Sequence, residues 1–169
     1  MGTTTRWHDG PRLPGPAVVF DLDGVLADTS HRQHHLERRG GRAPGSEGWR
    51  RFFAAAGEDP VLPAARSILR LLRDDVTVIL LSARPATSFD LTVEWLDRHE
   101  VPWHLLVLRG DGPVVPAATF KREVVRSLVA AGFSIEAAAD DDPAVVTAYR
   151  AAGLPVLPVT APRGGRGGG

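Results

Sequence analysis

Five short apolar runs, most of them rich in β-branched residues, recur along the chain at positions 17–22, 76–82, 104–108, 135–139 and 155–159. Between and after them, apolar positions return at helical spacing, which predicts helices near 63–73, 86–99, 119–131 and 143–152. Strand alternating with helix implies a parallel sheet with right-handed crossovers, so the expected fold is a doubly wound, Rossmann-like α/β domain over 17–160. Residues 27–62 break the alternation and are too long for a plain loop in a compact domain. There Asp28-Thr29-Ser30 offers capping side chains, Gly40-Gly41 and Pro44-Gly45 interrupt, and Trp49, Phe52 and Phe53 recur at helical spacing. These features predict a small helical cap inserted after the first strand. Residues 1–16 show little periodicity and read as a flexible leader, while 161–169, composed of Gly, Arg, Ala and Pro, are expected to be disordered.

The polar residues that interrupt this pattern fall at strand ends and helix starts. Ala17-Val-Val-Phe-Asp-Leu-Asp-Gly24 delivers Asp21 and Asp23 to one side of a strand, because successive side chains alternate. Like charges that close are unfavourable unless a cation sits between them or one takes a proton. Gly24 permits a tight turn whose amides could face an anion. The second strand ends in Ser82, followed by Ala83 and Arg84; a later helix opens near Lys121; the fourth strand runs into Asp140-Asp141-Asp142. In a parallel α/β sheet all these places lie along the carboxyl edge, where such folds bind ligands. Lys121 is the only lysine in a chain that otherwise uses arginine, and a compact ammonium is not interchangeable with a planar guanidinium in a tight site.

The ordered set Asp-x-Asp-Gly-Val, strand-end Ser, Lys and Asp-Asp resembles the four signature motifs of the haloacid-dehalogenase (HAD) phosphohydrolases, and the resemblance covers Val18 to Val159. Three stretches are similar to the 3′-phosphatase domain of bacteriophage-type polynucleotide kinases: Leu81-Ser-Ala-Arg-Pro85, Thr92-Val-Glu-Trp-Leu96 with Val101-Pro-Trp103, and Asp140 to Leu154. That subfamily usually has Asp-Asp-Arg where this chain has Asp142 in the third position. The resemblance implies that Arg84 contacts the substrate phosphate.

A phosphomonoester dianion repels nucleophiles, so a catalyst must neutralise charge and align the attack. Asp21 is placed to attack phosphorus and form an aspartyl-phosphate. Asp23 would protonate the leaving alkoxide and then deprotonate water. Oxygen ligands from Asp21, the Asp23 carbonyl, Asp140 and Asp141 suit Mg²⁺. Ser82 and the amides around Gly24 and Ala83 could hold the transferring oxygens, with Lys121 offsetting charge. Arg109 and Asp111 fall in a loop expected to overhang the site. In the cap, Trp49, Arg50 and Phe52 are the candidates for contacting something larger than a phosphate. His31, His34 and His35, at adjacent helical positions without cysteine, read as surface or cap-packing residues rather than metal ligands.

Composition narrows the partners. With 20 basic and 20 acidic residues there is no general field to attract nucleic acid, so any such contact must be local. The absence of cysteine excludes disulfides and thiolate metal sites. No apolar run approaches the roughly 20 residues that span a bilayer, and residues 1–16 lack the apolar core of a secretion signal, so a cytoplasmic protein with no membrane or obligate protein partner is expected. Acting on a nucleotide or nucleic-acid 3′-phosphate is the expected function. A small phosphorylated metabolite is the alternative substrate. A receiver-type phospho-acceptor module is disfavoured because its acidic pair would come early in the chain, and a halide-cleaving relative would not need Asp23.

Overall fold

A computed structural model of the chain describes residues 2–37, 40–43, 45–110 and 114–159. Six strands form one sheet: β1 (Thr3–Trp7), β2 (Pro16–Phe20), β3 (Thr77–Pro85), β4 (Leu105–Arg109), β5 (Ser134–Asp140) and β6 (Val156–Pro158), in the order β1-β4-β3-β2-β5-β6. All neighbours run parallel except β1, which pairs antiparallel with β4. The chain is therefore the expected doubly wound α/β fold. The order reverses at β2, whose neighbours are β3 on one side and β5 on the other, and the crevice between the ends of β2 and β5 is the switch point where open α/β sheets take ligands.

The alternation along β2 explains the two layers. Val18 and Phe20 pack on one face with Leu69, Trp95 and Leu96 from helices α3 (Pro63–Arg70) and α4 (Phe89–Arg98). Ala17 and Val19 pack on the other with Phe120, Val124 and Tyr149 from α5 (Ala117–Ala130) and α6 (Pro143–Ala151). Asp142 caps α6 by accepting from the Ala144 amide at 2.8 Å, and Pro143 supplies the first helical residue without wasting an amide.

Two expectations change. The leader is not featureless: Thr3–Trp7 is an edge strand in register with Arg109 to Leu105, and its threonines and tryptophan are good strand formers despite the absence of an apolar run. The strand expected to stop at 82 continues to Pro85, with a break in register against β4 between Ser82 and Pro85 that brings Ser82, Ala83 and Arg84 to the carboxyl edge. The segment 161–169 lies outside the described residues, as do Asp111 and the cap residues Arg38, Arg39 and Pro44. No helix among the described residues is long and apolar enough to cross a membrane.

The cap leaves and rejoins the core at one point. Asp28 N–H donates to Pro60 O at 2.8 Å and Leu62 N–H to Leu26 O at 2.7 Å. Between these ties run a 3₁₀ turn (Ser30–Arg32), α1 (His34–Glu37), α2 (Glu47–Ala54) and a second 3₁₀ turn (Ala55–Glu58). Ser46 caps α2 by accepting from Trp49 N–H at 3.1 Å.

Candidate active site

Continuation of β2 sets the position of the first carboxylate. Asp21 N–H donates to Ala139 O of β5 at 2.9 Å, so the residue after the strand is still held by the sheet, and its own Oδ1 accepts from Leu22 N–H at 2.7 Å. The amides of Val25, Leu26 and Ala27 then converge on Leu22 O, closing a tight loop. Gly24 sits in it at φ +78°, where a side chain is strained, and an added Cβ would run into the Asp141 carboxylate. The Gly24 amide is not an anion donor, since it donates to Ala27 O at 2.9 Å; the glycine is there to let Asp141 approach. Gly24→Ala is therefore expected to add about 1–3 kcal/mol of backbone strain and displace Asp141. The expected result is lower metal-supported activity with a lowered Tm, read from phosphate release and thermal melts.

Three carboxylates meet at the ends of β2 and β5. Ligand atoms of Asp21, Asp140 and Asp141 lie within 4.8 Å of one another. Lys121 of α5, 2% exposed, stands between the first two with Nζ 2.7 Å from Asp21 Oδ2 and 2.6 Å from Asp140 Oδ2. Asp140 Oδ1 accepts from the Asp142 amide at 3.0 Å. Burial pushes Asp21 well above the usual carboxylate range, Lys121 opposes it, and Asp140 and Asp23 reinforce it. Burial would strip the charge from Lys121, but Asp21 and Asp140 outweigh it and hold the ammonium above its ordinary range. Burial and the neighbouring Asp140 push Asp141 up to about 6. Three buried or half-buried acids facing one ammonium leave an excess of negative charge in an all-oxygen donor set, which fits a divalent cation such as Mg²⁺.

Asp23 has a different environment from Asp21. Its Oδ1 accepts from Arg84 Nη2 at 2.7 Å and Arg32 Nη2 at 2.5 Å, and Arg84 Nε lies 3.2 Å from both of its oxygens. Burial works against its charge, yet Arg84 and Arg32 hold it well below the usual carboxylate range. Its side chain is 24% exposed, whereas both guanidinium groups are fully buried behind it. Arg84 was expected at the substrate phosphate. Instead its guanidinium is engaged with Asp23, with Thr92 Oγ1 at 3.1 Å and with Asp59 Oδ2 at 3.3 Å. The Asp23 side chain likewise stands apart from the acidic triad.

A cleft of about 330 Å³ opens over these groups. Asp21, Asp23, Ser82, Ala83, Arg84, Lys121, Asp141 and Asp142 belong to its core wall, with Gln33, Arg42, Phe52 and Phe53 on the cap side. Ser82 is buried and its Oγ accepts from the Arg84 amide at 3.3 Å. Of the three cap residues expected to touch substrate, only Phe52 reaches the cleft, and it is pinned beneath the cap with the Arg32 guanidinium 3.9 Å from its ring centroid. Trp49 packs edge-on to Phe53 at 4.8 Å, and Arg50 turns away to donate to Gly45 O at 2.6 Å. Helical spacing put the aromatics on one face, and of that face Phe52 and Phe53 line the cleft while Trp49 does not. Arg109 is turned from the cleft, donating to Val115 O at 2.9 Å and lying 5.3 Å over the Phe120 ring. His31 meets Asp59 at 2.8 Å and His34 Nδ1 contacts His31 O, so neither joins the acidic triad. Arg32 and Asp59 were not anticipated at all.

This sheet order, with carboxylates at the ends of adjacent strands and a cap inserted after the first of them, defines a phosphatase of the HAD class. More narrowly, the chain belongs to the family described as the polynucleotide kinase PNKP phosphatase domain, whose profile matches residues 15–163. No curated protein sequence matches it. Among solved structures it is similar to a chain of the Pnkp1/Rnl/Hen1 RNA repair complex at 23% identity and TM-score 0.68, covering 92% of this chain and 46% of that one. It also resembles a class C acid phosphatase from Bacillus anthracis with tungstate bound, at 19% identity and TM-score 0.60 over 91% of this chain and 69% of that one. A third neighbour is a haloacid dehalogenase-like hydrolase from Streptococcus pneumoniae, at 15% identity and TM-score 0.55, covering 83% and 82% of the two chains. The chain thus spans about half the length of the repair-complex protein it resembles.

Proposed function

We propose that this phosphatase is a Mg²⁺-dependent phosphomonoesterase that works through an aspartyl-phosphate on Asp21, on a nucleotide or nucleic-acid 3′-phosphate. The observation that carries the reading is the contrast between its two leading carboxylates. Asp21 faces Lys121 and the two other acids of the triad, while Asp23 is held by two guanidinium groups, and two acids kept in opposed environments are suited to different roles. Asp21, Asp140 and Asp141 would hold the metal, which supplies charge neutralisation to the phosphate when bound. Asp21, its ionised form held against Lys121, attacks phosphorus and the P–O bond to the substrate alcohol breaks. Asp23, ionised in the free enzyme, takes up a proton from solvent as the substrate binds and gives that proton to the leaving alkoxide. The arriving phosphate dianion opposes the pull of Arg32 and Arg84 and so raises the proton affinity of Asp23 for that step. In the second half-reaction Asp23 takes a proton from water as its oxygen bonds to phosphorus and Asp21 departs. Lys121 balances the charge of Asp21 throughout.

The substrate class rests on the family, on the likeness to a chain of an RNA repair complex, and on Phe53 and Arg42 at the cleft mouth, an aromatic face and a cation of the kind that hold an unpaired nucleotide. Asp142 in the same wall favours the alternative, a small phosphorylated metabolite, because it stands where a cation would attract a polyanion.

Phosphate release from a 3′-phosphorylated oligonucleotide, 3′- and 5′-nucleotides, sugar phosphates and p-nitrophenyl phosphate tests both parts. Chelation should abolish turnover on every ester and Mg²⁺ should restore it; full activity after EDTA would overturn the metal assignment. Arg42→Ala with Phe53→Ala should raise KM for the oligonucleotide by about tenfold or more and leave p-nitrophenyl phosphate nearly unchanged, since the small ester touches only the core site. Equal KM changes on both would assign the protein to small metabolites. Cation affinity should also fall below a pH of about 6, where a proton on Asp141 competes for the site.

A further inference from the structure

Behind Asp23 lies a charge network in which Asp23 and Arg84 line the cleft while Arg32 and Asp59 do not. The Asp59 side chain is fully buried at the return leg of the cap. Its Oδ1 accepts from Arg32 Nε at 2.7 Å and its Oδ2 from Arg32 Nη2 at 2.6 Å, a bidentate pairing. The same Arg32 Nη2 reaches Asp23 Oδ1 at 2.5 Å, and Arg84 Nη2 bridges Asp23 Oδ1 at 2.7 Å to Asp59 Oδ2 at 3.3 Å. Each arginine therefore spans both carboxylates. Arg32 comes from the cap and Arg84 from the sheet edge, so Asp59 ties together two guanidinium groups that would otherwise repel each other beside Asp23.

Two further contacts fix this clamp from the core side. Trp95 Nε1 donates to Asp59 O at 2.7 Å, seating that residue on α4. Thr92, also on α4 and fully buried, accepts from Arg84 Nη1 at 3.1 Å and donates to Ser88 O at 2.7 Å. Arg84 thus has no freedom to rotate about its planar head: one edge is taken by Asp23, one nitrogen by Thr92. A buried ion network of this kind is costly to desolvate and could be matched for stability by apolar packing, so stability alone gives no reason for it.

We propose that Asp59 and Thr92 are positioning residues for the reaction: through Arg32 and Arg84 they hold the Asp23 carboxyl at the angle from which it reaches the leaving oxygen. The inference rests on the reading of Asp23 as the acid and base of the phosphatase. Neither residue lines the cleft, so neither touches substrate, and each acts only by way of the arginines.

A positioning role has a signature that a purely structural role lacks. General-acid assistance matters for a poor leaving group and hardly at all for a good one, so misplacing Asp23 should steepen the dependence of rate on leaving-group acidity. Asp59→Asn and Thr92→Val, each close in size to the parent, are to be compared with the wild-type chain on esters ranging from a nucleoside 3′-phosphate to dinitrophenyl phosphate. For Asp59→Asn, kcat/KM, which reports the steps up to departure of the alcohol and not the hydrolysis common to all esters, should fall by about a hundredfold on the nucleoside ester and by less than about threefold on dinitrophenyl phosphate. Thr92→Val should steepen the slope in the same sense by a smaller factor. If Asp59→Asn does not fold, as judged by circular dichroism, Thr92→Val decides alone. An unchanged slope, whether through a uniform loss on all esters or no loss on any, overturns the proposal. Failure of the underlying reading shows separately: Asp23→Asn would then leave the leaving-group slope unchanged, whatever the slopes of the Asp59 and Thr92 variants.

Discussion

Asp21→Asn should fold like the parent and release phosphate more than about a thousandfold more slowly from every ester, because an amide cannot form the acyl-phosphate. The fold should tolerate the change. Asp21 is buried and its carboxyl is pushed well above the usual range, chiefly by burial, so the charged form is costly in the folded state and a neutral isostere relieves that cost. The sign follows from linkage: a carboxyl with a raised folded-state pKa favours folding when protonated and loses that advantage as pH rises. At neutral pH the Asn variant should therefore melt no lower than the parent measured without metal, provided Lys121 keeps its 2.6 Å contact with Asp140. Phosphate release beside a thermal melt checks both halves. A variant that keeps more than a few per cent of the parent rate would remove Asp21 from the role of nucleophile.

Lys121→Arg should lower kcat by about a hundredfold or more, the scale of losing one charge-stabilising donor, despite preserving the charge. The ammonium fills a slot 2% exposed between carboxylate oxygens 2.7 and 2.6 Å away. A guanidinium is broader and planar and cannot enter without pushing Asp21 away from Asp140, which also spreads the metal ligands. The prediction therefore has two readouts: steady-state kinetics, and a Mg²⁺ titration in which the variant binds more weakly than the parent. Near-normal kinetics with normal cation affinity would mean that the lone lysine holds its place by accident.

The parts of this site that were legible in the sequence are those whose signal is local. A β-branched run ending in Asp-x-Asp-Gly predicts its strand and its turn from side-chain alternation and glycine freedom alone, and Asp142-Pro143 announces the start of α6. Lys121 stood out because the chain has no other lysine. Arg32 and Asp59 carry no such mark. Arg32 is one arginine among many in a polar stretch, and Asp59 sits in Glu58-Asp59-Pro60, which reads as an exposed turn. Their burial arises only when the cap folds back and the return leg meets Trp95, a long-range event that no periodicity encodes. Arg84 was assigned to the phosphate by resemblance, and its partners could not be read locally: Asp23 follows β2, Thr92 lies on α4 and Asp59 on the return leg of the cap. Thr3–Trp7 was missed for another reason, since a strand at a sheet edge needs only one row of apolar contacts and so shows a weak pattern.

The most direct test of the central claim, a covalent phosphoryl group on Asp21, is the stereochemistry of transfer at phosphorus. With a substrate whose phosphate is made chiral by oxygen isotopes and an alcohol added as acceptor, two successive in-line displacements should give a product with retained configuration. Inversion would mean a single displacement straight to the acceptor, and would contradict the aspartyl-phosphate.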